Sequence, residues 1–309
     1  MIINAVFPLF ALILLGYLSA RNRLLGPAAV ETLNKFVVWM ALPALLFQAM
    51  AKISWEQINQ PGYLAATALG IAIVFAVSYF TDRQRRGRLA DASIEGLAAS
   101  YSNAGFMGIP LCLMLFGEAG LPAVVLATLL TACVLFAFAI VLIEIDLQGS
   151  PNLLHTLAKV SRSLSRNPLV VSPLLGLIVA ALEWPLPYAL EQFTALLGAA
   201  ASPCALITIG LFLAQDQPRA RHGAVWRIVG LKLVLHPLVT FILAYWVFSM
   251  PPLWAGTAVL LAALPVGTGP FMLAQLYQRE PAVTSRAILI STVLSLATVS
   301  VLVALLEGA

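Results

Sequence analysis

Ten hydrophobic stretches alternate with short polar connections along the 309-residue chain. A membrane-spanning helix needs about 20 mostly apolar residues, and each stretch is close to that length. The pattern therefore predicts an all-α polytopic membrane protein with ten spanning helices. The predicted spans are residues 3–20, 28–50, 62–80, 93–116, 121–145, 168–182, 188–214, 225–248, 253–277 and 286–306.

Two of these spans are interrupted by polar, glycine-rich runs. The fourth contains SNAGFMGIP at residues 102–110, and the ninth contains LPVGTGPF at residues 264–271. Proline removes a backbone donor and clashes with the preceding turn, and glycine weakens a helix further. At membrane depth every freed backbone group is costly unless protein, water or ligand satisfies it. One break in each half of the chain indicates a transporter site.

Composition and charge agree with a protein embedded in the membrane. The chain is 61% hydrophobic and only 10% charged, with a mean hydropathy of +0.97. Fourteen of the 17 Lys and Arg residues lie in the odd-numbered connections. The positive-inside rule therefore places those connections in the cytoplasm and both termini outside the plasma (inner) membrane. Basic residues confined to short loops argue against nucleic acid as a partner.

Five spans per half would invert the second half relative to the first. We therefore predict a first five-helix repeat over residues 1–148 and a second, inverted repeat over residues 149–309. Spans four and nine would then run in opposite directions, and their two breaks would meet and cross near the midplane. An alternative is that both breaks are proline kinks of the kind membrane helices tolerate.

The broken spans predict where an anion would bind. Their second halves are expected to begin near Ile109 and Phe271, where free N–H groups and the positive end of the helix dipole favour negative charge. The Asn103 amide and the Thr268 hydroxyl add further hydrogen-bonding groups. The predicted substrate-binding residues are Asn103, Gly105, Gly108, Pro110, Pro265, Gly267, Thr268, Gly269 and Pro270.

Four further polar residues within the spans are candidates for a counterion or coupling role. Lys35 could serve as a counterion, or it could pair with Glu31 one turn earlier or extend to the interface. Lys232 has the same alternatives but no acidic residue within a turn. His236 could carry a coupling proton, or it could be a packed neutral ring bonded to a carbonyl. Gln275 could contact substrate or bridge two helices.

An intramembrane enzyme is the main alternative class, and the sequence argues against it. The three histidines are scattered, and the acidic residues lie towards span ends, so no nucleophile with a base, aspartate pair or metal cluster is evident at membrane depth. Glu95 is expected to compensate the N-terminus of span four. We expect no catalytic residue, cofactor or metal site. A receptor would not need two matched helix breaks.

Several segments, in this order and spacing, resemble the auxin efflux carrier family. The resemblance implies ten helices in two inverted repeats, with helices four and nine broken and crossing. It also implies transport of a small organic carboxylate, as microbial members are described as malate or malonate permeases. The similar segments are ALPALLF at 41–47, SNAGFMGIPL at 102–111, LGAAASP at 197–203, LKL at 231–233 with Pro237, ALPVGT at 263–268 and STVLS at 291–295.

The same resemblance assigns roles within the chain. Asn103, Pro110 and Pro265 map to the crossover positions that line the site. Spans one, two, six and seven would form a scaffold and the face of a homodimer. The link between spans five and six is short, unlike the long loop of many plant members. The bile acid sodium symporter family shares the general architecture, so a sodium-coupled carrier remains a rival, and the coupling ion, sodium or a proton, stays open.

Overall fold

The computed structural model describes residues 2–26, 28–54, 59–86, 88–148, 158, 161–162, 165–215 and 220–307. Within these ranges the chain folds into helices joined by short turns. The principal helices are α1 Ile2–Arg21, α2 Ala28–Ala51, α3 Pro61–Arg86, α4 Leu89–Ser100, α5 Ile109–Phe116, α6 residues 121–148, α7 Pro168–Ala181, α8 Tyr188–Leu213, α9 His222–Val247, α10 Pro252–Ala263, α11 Gly269–Leu276 and α12 Pro281–Glu307.

The helices of the described residues have the length and apolar character of membrane spans. Six are long enough to cross a bilayer, and three shorter ones are also apolar. The prediction of an all-helical, multi-pass membrane protein is therefore confirmed, while the count of ten and the inverted repeat stay predictions. The six are Ala28–Ala51, Pro61–Asp82, Ala104–Leu147, Tyr188–Leu213, His222–Val247 and Pro281–Leu305; the three are Phe7–Arg21, Pro168–Ala181 and Pro252–Ala263.

Proline marks the beginning of four helices. It is the first residue of α3, α7, α10 and α12. At that position its missing N–H would have no intrahelical partner anyway, and its fixed φ suits the helix. At α7 the Asn167 side chain adds a cap, because its Oδ1 accepts from the Leu169 N–H at 3.0 Å.

Three of the prolines within helical segments follow widened turns. A π-helical turn frees the carbonyl four residues before a proline, which the ring would otherwise contact. Three helical segments use this arrangement, so their prolines do not end the helix. The turns and prolines are Val37–Ala41 before Pro43, Ala104–Gly108 before Pro110, and Leu231–Leu235 before Pro237.

The chain forms two compact units. The first unit is Met1–Gln60, Gly105–Leu126 and Ser165–Asp216; the second is Pro61–Ala104, Ala127–Leu164 and Gln217–Ala309. Predicted spans one, two, six and seven do fall together in the first unit, as the family resemblance implied. Each unit draws on both predicted repeats, so the contacts alone do not test that division.

Close contact between backbones characterises the first unit. Helices α1 and α8 meet where a Cβ on Gly210 would overlap the Ile13 carbonyl, and one on Gly16 would overlap the Ile207 carbonyl. On α7, a Cβ on Gly176 would lie 2.5 Å from the Phe47 carbonyl oxygen of α2. Small residues at such contacts let membrane helices pack by van der Waals attraction.

An ion-pair network joins α3, α4 and α9 in the second unit. Arg227 pairs with Asp82 at 2.8 Å and with Glu95, and Arg221 pairs with Glu95 at 3.0 Å and with Glu280 at 2.9 Å. The interpretation of Glu95 as compensation for a helix N-terminus is wrong. Glu95 lies in the second turn of α4, beyond the reach of that effect, and its buried carboxylate is held by two arginines.

Candidate functional site

The first chain break is shorter than the sequence suggests and lies earlier. Only residues 101–103 are non-helical, and the helical path resumes at Ala104 rather than near Ile109. Gly105, Gly108 and Pro110 are therefore helical, in the π-helical turn and the first turn of α5, and they do not form the break. The widened turn before Pro110 explains why this proline does not interrupt the helix. All three residues belong to the first unit.

The second chain break lies close to its predicted position. Helix α10 ends at Ala263, and α11 begins at Gly269, two residues before the predicted start at Phe271. Pro265 lies in the break, where its missing N–H breaks no helical bond. Pro270 is instead within the first two residues of α11, a position that proline favours.

The two breaks pair with each other inside the second unit. Ser102 and Val266 face one another as an antiparallel bridge. On either side of it the Asn103 N–H donates to Pro265 O and the Gly267 N–H donates to Tyr101 O, both at 3.0 Å. The predicted meeting of the two breaks is thus present, and it satisfies backbone groups that the helices leave unpaired.

Two of the predicted site glycines pack against an aromatic ring. A Cβ on Gly267 would lie 2.8 Å from Tyr101 Cδ1, and one on Gly269 would lie 2.8 Å from Tyr101 Cζ. Any side chain at either position would displace the ring or the backbone. The absence of a side chain at these two glycines therefore leaves room for the Tyr101 ring to pack against the second break.

Asn103 is the polar side chain at the centre of this pairing. The residue is 5% exposed, and its backbone N–H is engaged by Pro265. The Asn103 amide can both donate to and accept from a ligand or water beside the paired breaks. Thr268, also predicted for the site, is half-buried.

The four candidates for a counterion or coupling role have different surroundings. Lys35 is exposed and bonded to Glu31 at 2.6 Å, so the predicted helical pair is present. Lys232 is completely buried, so extension to the interface is wrong for it, and its Nζ donates to Ala262 O at 2.5 Å. His236 is buried, but within the described ranges its Nδ1 has no hydrogen-bond partner. Gln275 is exposed on α11.

Comparison with known proteins agrees with this architecture. The family described as "Membrane transport protein" matches residues 1–303, nearly the whole chain. The chain belongs to the auxin efflux carrier family. It is therefore a multi-pass membrane transporter and not an enzyme, and the resemblance seen in the sequence is confirmed.

Individual members of the auxin efflux carrier family align with this chain from end to end. It is 32% identical to a "Putative malonate transporter" of Rhizobium meliloti, covering 99% of this chain and 96% of that protein. It is 24% identical to "Auxin efflux carrier component 8" of Arabidopsis thaliana, covering 96% and 95%. An "Uncharacterized transporter" of Methanothermobacter thermautotrophicus is 26% identical, covering 95% and 94%.

Proposed function

We propose that the protein is a secondary carrier that moves a small organic anion by alternating access. The anion would bind in the second unit, beside the pairing of residues 101–103 with residues 265–267. The observation that carries the proposal is Asn103, a residue that is 5% exposed and lies within the pairing of the two chain breaks. Broken helices that meet within a membrane protein are typical of substrate sites in secondary transporters.

A short carboxylate is the substrate class that this site suits best. An amide N–H can donate to a carboxylate oxygen, and hydrogen bonds to charged acceptors are stronger than neutral ones. The similarity to a "Putative malonate transporter" over 99% of the chain supports the same class. Malonate is therefore the first mono- or dicarboxylate to test.

The membrane topology forms part of this proposal. Ten spans in two inverted repeats, residues 1–148 and 149–309, would put both termini outside the inner membrane. The distribution of Lys and Arg between the connections supports this orientation. A C-terminal fusion to a reporter that is active only outside the cytoplasm tests it. Activity is expected, and a silent reporter on a correctly inserted protein would overturn the orientation.

Uptake of radiolabelled malonate by the purified protein in liposomes tests the function. Parallel arms with a sodium gradient, a proton gradient or neither would identify a coupling ion. Asn103→Ala is expected to lower uptake about ten- to a hundredfold, because a hydrogen bond to a charged group is lost. Asn22→Ala changes an exposed asparagine in the turn after α1 and should have no effect.

Two results of this experiment would contradict different parts of the proposal. Unchanged uptake by Asn103→Ala would move the binding site away from the paired breaks while leaving the carrier function intact. If the folded native protein takes up no carboxylate under any gradient, then a small carboxylate is not its substrate.

A further inference from the structure

A small cavity lies inside the second unit, next to the first chain break. It has room for a group of about the size of one or two water molecules. Polar side chains reach it from α3, α6 and α9 as well as from the break. The lining residues used in the argument below are Thr67, Ser102, Thr131, His236, Thr240 and Ala262.

Three polar atoms on this lining are buried and have no hydrogen-bond partner among the described residues. They are Thr67 Oγ1, Thr240 Oγ1 and His236 Nδ1. Thr240 and His236 are 2% and 3% exposed. Helical threonines usually donate to a carbonyl of the preceding turn, as Thr131 does to Ala127 O at 2.9 Å. The two free hydroxyls depart from that habit, and within a membrane such groups need a partner.

The hydrogen-bonding groups around the cavity favour an anion over a cation. Lys232 lies one turn before His236 on α9 and is completely buried. Its Nζ donates to the carbonyl of Ala262, which lines the cavity. Among the described residues that line the cavity, none is acidic. Calcium and magnesium are bound in proteins mainly by carboxylate and carbonyl oxygens, whereas hydroxyl and imidazole groups can donate to an anion.

The size and position of the cavity suit one end of a substrate. A single carboxylate group is similar in size to the cavity, whereas a whole dicarboxylate is too large for it. Ser102, which lines the cavity, is the immediate neighbour of Asn103. In such a binding mode, a dicarboxylate reaches past the Ser102 backbone, with one group beside Asn103 and the other inside the cavity.

We propose that this cavity is a second carboxylate subsite, in which Thr67, Thr240 and His236 bind one carboxylate of a dicarboxylate held at its other end beside Asn103. The inference rests on the proposed carrier function and narrows its substrate class to short dicarboxylates. A monocarboxylate such as acetate would occupy only the Asn103 end, so its binding would be independent of the two threonines.

Isosteric variants test the subsite without enlarging the cavity. Thr240→Val and Thr67→Val each remove one hydroxyl that lacks a protein partner, so the folded protein should melt at an equal or higher temperature. Thr257→Val is the matched control. Thr257 is buried in the same unit, but its Oγ1 already donates to Leu253 O at 2.6 Å.

The measurement compares malonate with acetate, first by uptake into liposomes and then by the ligand-induced rise in melting temperature of the purified protein. Either subsite variant should raise the KM for malonate about tenfold, as expected for one lost hydrogen bond to a charged group. The KM for acetate should stay within about twofold of the native value. Thr257→Val should leave the ratio of the malonate KM to the acetate KM unchanged.

The results that would overturn the subsite are distinct from a failure of the carrier proposal. If the subsite variants leave the malonate constant unchanged, the cavity holds only water. If they weaken the binding of malonate and of acetate equally, the cavity does not bind the second carboxylate. The same conclusion holds if added chloride competes equally with both substrates. A native protein that neither transports malonate nor is stabilised by it removes the carrier proposal itself.

Discussion

The backbone N–H of Asn103 donates to the carbonyl oxygen of Pro265 at 3.0 Å. One residue at the end of a broken helix is thereby joined to a residue of the other break, more than 150 positions later in the chain. Proline has no N–H to give, but its carbonyl remains a full acceptor. The matching bond from Gly267 to Tyr101 completes the pair, so backbone groups hold the two breaks together.

Adding a methyl group at Gly267 should disrupt this pairing. In Gly267→Ala the new Cβ would lie 2.8 Å from Tyr101 Cδ1 and 3.2 Å from Ser102 O, so the ring and the backbone must shift. Overpacking of this kind costs about 1–3 kcal/mol. We expect a lower melting temperature and about a tenfold loss of malonate uptake, measured in detergent and in liposomes.

Gly230→Ala is the control for that substitution. Its Cβ would meet nothing within 4 Å on α9, and alanine is the better helix former by about 1 kcal/mol. The control should melt at the native temperature or above and transport normally. Native stability and native uptake in Gly267→Ala would show that the Tyr101 ring yields easily and that the pairing tolerates its displacement.

Local sequence signals located both breaks but misjudged the first. The start of α11 was predicted within two residues because Pro265 and Pro270 flank it with glycines between them. At Pro110 the same reasoning failed, because the π-helical turn Ala104–Gly108 removes the clash that makes proline a helix breaker. Whether a helix widens or breaks depends on packing around it, which the spacing of glycine and proline does not encode.

The polar groups of the second unit were the least predictable part of the fold. Asp82 and Glu95 meet Arg227 from positions more than 130 residues away. Thr67 and Thr240 reach one cavity from different helices. Their sequence signal is only that a polar residue occurs in an apolar stretch. Which partner it meets is decided by tertiary packing, so a single sequence leaves these contacts open.

Removal of Arg227 should destabilise the second unit strongly. Arg227 faces two carboxylates that are almost fully buried, with 1% of the Asp82 side chain and 5% of the Glu95 side chain exposed. Arg227→Met would leave both without this partner, and breaking a buried pair costs about 3–5 kcal/mol. We expect a much lower melting temperature in detergent.

Lys35→Met supplies the comparison for an exposed ion pair. Lys35 and Glu31 are exposed and lie one turn apart on α2, and exposed ion pairs of this kind contribute little to stability. This variant should melt at the native temperature. If the melting temperature of Arg227→Met were as close to the native value as that of Lys35→Met, apolar contacts could replace the buried network, as they do for some buried ion pairs.

Helix packing in the first unit predicts a second sensitive glycine. In Gly210→Ala the methyl group would overlap the Ile13 carbonyl of α1, so α1 and α8 must separate. We expect a loss of about 1–3 kcal/mol in stability, measured by thermal unfolding in detergent. Gly223→Ala, which meets nothing within 4 Å, should be neutral. If Gly210→Ala and Gly223→Ala had the same melting temperature, the separation of α1 and α8 would cost little free energy.

Lys232 allows the contribution of charge to be separated from that of packing. Its Nζ donates to Ala262 O from a completely buried position. In Lys232→Gln the shorter amide can still donate, while the amino group, which can carry a positive charge, is lost. If Lys232 supplies that charge to the bound anion, the KM for malonate should rise about tenfold with little change in melting temperature.

The same measurement on Lys35→Gln completes the test of the two lysines. Lys35 is exposed and already bonded to Glu31, so its loss should leave the KM for malonate unchanged. A native KM in Lys232→Gln would assign Lys232 to helix packing through the Ala262 carbonyl. A raised KM in Lys35→Gln would instead place the counterion on α2, because an exposed pair that only stabilises its own helix cannot alter the affinity for substrate.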